Sequence, residues 1–345
     1  MTVRPSPPAA PCLEERAEDA LALDDPGRAV ALFRRAAAQN PAQAGVLYLM
    51  GQALRDLGRA EAGGALRRRA FLTDPAALPT ANHRLGLAFA RAGQMDRAVA
   101  GQLQALDQNP GHAAAAQALE RLAAAALSGG QGTDGLDAGL WTRTGHAAFR
   151  LGAFALARAA FGRAAAAQPD DPALRRYVGD THVMLADHQG AETVFTQGVA
   201  LEPGDAGMWA GLAHARFHQE DRIGALPAFT HAARLTPESA EYRRCLADTL
   251  FLLRRTGEAG HHLARALVLV PDAGSLWTNL GHTRFRRRDY AGAAAAFARA
   301  LVLTPGDPDL ERFRRIAAYR RLNARVMAGE GAGEGAGDGS GTAHA

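Results

Sequence analysis

The feature that most constrains this chain is the spacing of its prolines. Pro41, Pro75, Pro110, Pro169, Pro203, Pro237, Pro271 and Pro305 are separated by 34, 35, 59, 34, 34, 34 and 34 residues. Proline cannot continue a helix interior, because it lacks the N–H and its ring strikes the preceding turn. A proline recurring at a fixed interval therefore marks a break that recurs with it. Other residues keep the same phase. Ala157, Phe161 and Ala164 lie at i, i+4 and i+7, one face of a helix that ends before Pro169. A helix pair of this length cannot bury its apolar faces alone, whereas stacked pairs make a continuous core. The sequence thus predicts an all-α, open-ended array, so its 345 residues set no domain count.

The remaining positions fall in phase. From Gly274, Trp277, Leu280 and Gly281 occupy a first helix, Ala293, Phe297 and Ala300 a second, and Pro305 ends it. From Ala206 come Trp209, Leu212, Ala213, Ala225, Phe229, Ala232 and Pro237, and from Ala138 come Trp141, Gly145, Ala157, Phe161, Ala164 and Pro169. Weaker copies start at Pro172, with Val178, Gly179, Ala191 and Phe195, and at Ala240, with Leu246, Ala247, Ala259 and Ala266. Upstream, Gly51, Ala70 and Pro75 mark one copy, and Leu85, Gly86, Phe89, Ala98 and Ala105 the next. Ala29, Phe33, Ala36 and Pro41 mark the second helix of a degenerate first copy. In period and in these positions the chain resembles the tetratricopeptide-repeat family. The resemblance implies a right-handed superhelical solenoid of antiparallel helix pairs. It says little about function, since this scaffold hosts many roles.

The interval of 59 is one period plus the 25 residues 113–137. Residues 113–127 read as one helix, with Leu119, Leu122 and Ala126 on a stripe, followed by a glycine-rich linker at Ser128–Gly135. The expected organisation is a first array over 10–112, a single capping helix and linker over 113–137, and a second array over 138–307. The linker is then a hinge between two sub-arrays; the alternative is one continuous solenoid with a surface insertion, which costs little loop entropy. A C-terminal helix over 308–326 carries Arg312, Arg314, Arg315, Arg320, Arg321 and Arg325, as a solvating cap or a basic docking helix. Residues 1–9 and the glycine-rich 327–345 are expected to be disordered.

Composition adds bounds. The net charge is only +4, and all 39 basic residues are arginine, so an anion contact would use the guanidinium fork. The two cysteines, Cys12 and Cys245, form no C-x-x-C pair and imply neither a disulfide framework nor a zinc cluster. The N-terminus shows no secretory signal and no apolar run reaches a membrane span, so a cytoplasmic protein is expected.

In the family, the first helix of each repeat lines the concave surface. By that resemblance the candidate groove runs through His146, Asp180, His214, Asp248 and His282, beside Phe149, Phe217, Phe251 and Phe285 (Val183 takes the fifth place). Arg150, Arg176, Arg244 and Arg286, with Arg143, lie on the same wall. The alternation of His with Asp, and Trp141, Trp209 and Trp277 at intervals of 68, point to duplication of a repeat pair. One reading is a ladder that pairs with an extended or helical ligand. The other is that His and Asp of neighbouring helices bond one another, as half-buried polar groups usually do. A histidine flanked by aspartates is expected to favour its charged form and to make ligand affinity pH-dependent. The family's carboxylate clamp needs lysines and two asparagines; here there is no lysine and only Asn279 sits at a clamp-like place, so that ligand is not expected.

No catalytic motif is present: no P-loop, no G-x-G-x-x-G after a strand, no G-x-S-x-G and no H-E-x-x-H. The twelve histidines lack metal-ligand spacing, so no metal and no cofactor are expected. Short runs such as Arg67–Arg69 and Arg286–Arg288 are offset by nearby acids and do not suggest nucleic acid, nor does anything suggest a membrane. The functional expectation is a non-enzymatic scaffold or adaptor binding a protein or peptide. The alternatives are an assembly factor or regulatory subunit of a separately encoded enzyme, such as a glycosyl- or methyltransferase, and a self-assembling structural scaffold. Bacterial proteins of similar style often carry such enzymes on the same chain.

Overall fold

A computed structural model describes residues 11–128 and 136–330. Residues 1–9, residues 331–345 of the expected disordered tail and most of the expected hinge, residues 129–135, lie outside them; residues 327–330, expected to be disordered, instead continue the C-terminal helix. Among the described residues there are eighteen α-helices and no strand. The chain divides into two compact units, Met1–Ala186 and Asp187–Ala345. The first holds α1 (Leu13–Ala22), α2 (Pro26–Gln39), α3 (Ala44–Asp56), α4 (Ala60–Thr73), α5 (Ala77–Arg91), α6 (Met95–Gln108), α7 (Ala113–Leu127), α8 (Ala138–Arg150), α9 (Phe154–Ala167) and α10 (Pro172–Met184). The second holds α11 (His188–Leu201), α12 (Ala206–His218), α13 (Arg222–Leu235), α14 (Ala240–Leu252), α15 (Thr256–Leu269), α16 (Gly274–Arg286), α17 (Tyr290–Leu303) and α18 (Pro308–Glu330).

The local chemistry explains the punctuation. Aspartates cap second helices: Asp25, Asp187, Asp221 and Asp289 each accept from the backbone N–H three residues on. Prolines open α2, α10 and α18 at the position where a missing N–H costs nothing. The turn inside each pair needs one left-handed residue. Glycine supplies it at Gly58, Gly93 and Gly152, but Asp24, Ala186, Glu220, Arg254 and Arg288 hold φ between 56° and 65°.

The core repeats with the sequence. Phe33, Phe161, Phe195, Phe229 and Phe297 occupy equivalent places on second helices and are at most 1% exposed. Their rings reach first helices stripped of side chain: a Cβ on Gly145 or Gly281 would lie 2.6 Å from the Phe161 or Phe297 ring. One period after Phe33 stands Arg67, and one period after Phe229 stands Leu263. Arg67 lies over the Tyr48 ring at 4.9 Å and donates to the Tyr48 hydroxyl, so the second repeat has a polar centre where five others have phenylalanine; the third is polar too, with Gln102 buried against Gly86.

The first unit departs from simple stacking. α1 packs on α5 as well as on α2. Arg84 pairs with Glu14 and Glu18, Arg91 with Asp19 and Arg97 with Asp24, and Gln94 donates to the Ala22 carbonyl. α3 also packs on α5, whereas α4 packs along α3 and makes no such interface with α5. Every other second helix in its unit, α2, α6, α9, α11, α13, α15 and α17, packs on the helix that follows it. α7 covers α6 and reaches α8 and α9: Leu119 joins Val99, Leu103 and Ala147, and Ala126 joins Trp141 and Phe161. At the other end of the chain, α18 buries Leu310 and Ala317 against α17, and its far half leaves Tyr319, Leu322 and Met327 exposed.

Candidate functional site

The residues proposed from sequence sit on first helices, and each unit carries its own wall. In the first unit these helices are α8 and α10. His146 on α8 is half-buried, edge-on to Phe161 at 5.1 Å and to Tyr177 of α10 at 4.5 Å. Phe149 rests edge-on against Phe154 at 5.3 Å. Arg150 and Arg143 both reach Asp107 of α6, at 3.4 and 3.2 Å. Arg176 lies over the Tyr177 ring at 5.8 Å, and Asp180 is half-buried on the same helix.

In the second unit the wall is made by α12, α14 and α16. His282 repeats the packing of His146, edge-on to Phe297 at 5.1 Å and to Phe313 of α18 at 4.6 Å. His214 lies edge-on to Phe229 at 5.0 Å, but its other neighbour is the Cys245 sulfur, 3.9 Å from Nε2. Cys245 stands where Tyr177 and Phe313 stand one repeat pair away on either side. The second ring over His146 and His282, and its replacement by Cys245 over His214, were missed in sequence; the 68-residue period reaches them once it is read past the histidines themselves. Burial pushes the Cys245 thiol up to about 12, so it stays protonated and is a poor nucleophile.

Asp248 does not bond a histidine. It accepts from Asn279 of α16 at 2.7 Å and from Arg244 on its own helix at 2.9 Å. Arg244 also pairs with Glu241. Arg286 lies over the Phe251 ring at 4.1 Å and donates to the Phe251 carbonyl at 3.3 Å. Successive first helices α14 and α16 are thus tied by an amide–carboxylate bond and a cation–π contact. Phe217, Phe251 and Phe285 stay half-buried, one each at equivalent positions of α12, α14 and α16.

The electrostatics correct one expectation. The histidines do not favour their charged form. Burial holds His146, His214 and His282 below the ordinary imidazole range, and positive neighbours add to it: Arg150, His218 with Arg244, and Arg286 respectively. Against His214 only Glu241 acts in the other direction. Asp248 is spent on Asn279 and Arg244, and His146 and His282 pack as rings between aromatic neighbours.

Among the described residues, no three His, Cys, Asp or Glu side chains come together as a metal site. No described helix is long and apolar enough to cross a membrane.

A family model of the tetratricopeptide repeat matches residues 15–77, 142–206 and 246–308, together more than half of the chain. No curated protein matches it. Among solved structures, TTC0263, a thermophilic TPR protein in Thermus thermophilus, is 23% identical over 53% of this chain and 99% of its own, with a TM-score of 0.41. MamA from Desulfovibrio magneticus RS-1 is 20% identical over 50% of this chain and 97% of its own, with a TM-score of 0.47. YrrB, described as a TPR protein with an unusual peptide-binding site, is 17% identical over 54% of this chain and 92% of its own, with a TM-score of 0.45. With the repeat's period, its helix pairs and its packing positions all present, the chain belongs to the tetratricopeptide-repeat family.

Proposed function

We propose that the chain is a non-catalytic scaffold for protein–protein interaction, holding a peptide or a partner protein against its first-helix walls. The observation that carries this reading is the register of Phe217, Phe251 and Phe285, half-buried on α12, α14 and α16, with the exposed guanidinium of Arg286 beside them. Half-buried aromatics spaced along a rigid wall offer anchoring pockets, and a neighbouring arginine favours ligands that carry a carboxylate. The wall is pre-organised, because the ties between α14 and α16 are already made in the unbound chain, and this lowers the entropy cost of binding. A ligand need not find the imidazoles charged; affinity is expected to vary little with histidine protonation above pH 6.5.

The test is selection of peptides from a displayed library on the full chain, followed by titration on two variants. Peptides that use this wall lose about tenfold or more in affinity on Phe251→Ala with Arg286→Glu. They bind unchanged when exposed second-helix arginines are reversed, as in Arg265→Glu with Arg299→Glu. The opposite pattern removes the proposal. Co-purification then names the partner; an enzyme recovered in fixed ratio makes the chain a regulatory subunit, and recovery of the chain alone as a concentration-dependent oligomer makes it a self-assembling scaffold.

A further inference from the structure

The second repeat is open where its neighbours are closed. Elsewhere within each unit, a second helix packs on the helix that follows it, but α4 leaves α5 to α1 and α3. The cause lies in its sequence. α4 buries little beyond Gly63 and Ala70, and it carries Arg67 at the place of the packing phenylalanine. It crosses α3 at Gly51 and Gly63 so closely that a Cβ on Gly63 would lie 2.5 Å from the Gly51 carbonyl oxygen. Drawn onto α3 in this way, α4 turns an unpartnered face outward, with Phe71 60% and Leu72 83% exposed. Exposure like that of Leu72 recurs at Val268 on α15, but Phe71 lies bare where its α15 counterpart, Leu267, is buried. An apolar recess of about 430 Å³ opens beside them, lined by Tyr48, Arg67, Arg68, Phe71, Leu72, Leu78 and Gln108.

We propose that this recess is a docking site, separate from the first-helix walls, for an amphipathic helix of a partner protein that carries acidic residues beside its apolar stripe. Three observations select that occupant. The recess lies between α4 and the ends of α5 and α6, the place where the other repeats set one helix against another. Its walls are largely apolar, with Phe71 and Leu72 exposed above the buried Leu78, a surface that suits the apolar stripe of a helix. Its charged lining is Arg67 and Arg68, with Arg69 next to them and no carboxylate among the lining residues. Arg67 is held by Tyr48, and Arg68 is exposed at the rim, where an incoming carboxylate would meet a planar donor fork. The Tyr48 hydroxyl, which also receives Gln104 and Asn82, gives the floor a fixed polar mark.

The test uses the full chain and two labelled helical peptides about sixteen residues long, enough for four turns. Both carry leucine at i, i+3, i+4 and i+7; one has glutamate at the flanking positions and the other lysine. Fluorescence anisotropy is expected to show the glutamate peptide binding about tenfold or more tightly than the lysine peptide. Phe71→Ser with Leu72→Ser, both at exposed positions, is expected to remove that binding, and Arg68→Glu to reverse the preference between the two peptides. The Phe217, Phe251 and Phe285 wall plays no part, so Phe251→Ala leaves this binding intact even if the scaffold reading fails. Equal affinity of the two peptides, or glutamate-peptide binding that survives Phe71→Ser with Leu72→Ser, overturns the proposal. So does sedimentation showing that the chain dimerises through Phe71 and Leu72, since the occupant is then a second copy. So does a gain in peptide affinity when residues 1–10 are removed, since the occupant is then the chain's own end.

Discussion

Glu18 is held where an ionised carboxylate is costly. It is 2% exposed between α1 and α5, and although it pairs with Arg84, burial outweighs the pairing and pushes its carboxyl up to about 7. Its ordinary value is 4.5, so between pH 4.5 and 7 the unfolded chain ionises this group while the folded chain keeps it protonated. Its contribution to stability is therefore full below pH 4.5 and lost as pH rises through 7. In urea unfolding, Glu18→Gln is expected to gain on the parent as pH moves from 5 to 8; midpoints that stay parallel speak against this placement of Glu18. Two backbone sites in the second unit give opposite signs. Glu220 sits at φ 65°, and Glu220→Gly is expected to stabilise by up to about 1 kcal/mol, because only glycine adopts that turn without strain. Gly281→Ala is expected to destabilise by about 1–3 kcal/mol, since its Cβ would meet the Phe297 ring. Thermal melts of the two variants check both. The place of Gly281 in its repeat was legible from spacing. The neutral state of His282 was not, because it depends on Phe313, a residue of the helix after the last repeat.

At the scale of elements, the phase of the prolines and phenylalanines was enough to place the helix pairs, since period and packing are one constraint in a stacked array. It could not show where stacking is altered. The copy that holds Arg67 was marked in sequence only by Gly51, Ala70 and Pro75; in the structure Arg67 accompanies a helix that leaves its successor, with α1 filling part of the vacancy through the Glu14, Glu18 and Asp19 pairs. α7 is a similar case. Its leucine stripe was readable, but its neighbours on both sides were not. Leu119 is fully buried among Val99, Leu103 and Ala147, so it joins α6 to α8. Leu119→Ala is expected to cost about 2–5 kcal/mol, near the value for a closed core rather than for a frayed end. A loss below about 0.5 kcal/mol, the range of ordinary surface substitutions, would show α7 to be peripheral.

At the scale of the molecule, a chain of nearest-neighbour interfaces places its core on the joins between successive helices. This is why packing residues declared themselves in sequence: packing repeats, whereas single departures such as Val183 among the phenylalanines or Cys245 among the aromatic rings have no period to reveal them. Site-specific photo-crosslinking puts the claim of a first-helix binding wall to the most direct trial. A benzophenone side chain is placed singly at Phe217, Phe251 and Phe285, and singly at the exposed second-helix positions Gln197, Arg265 and Arg299, with a library-selected peptide bound. Adducts confined to the three first-helix positions support a guest held on that wall. Adducts at the second-helix positions, with none at Phe217, Phe251 or Phe285, would place the guest elsewhere and contradict it.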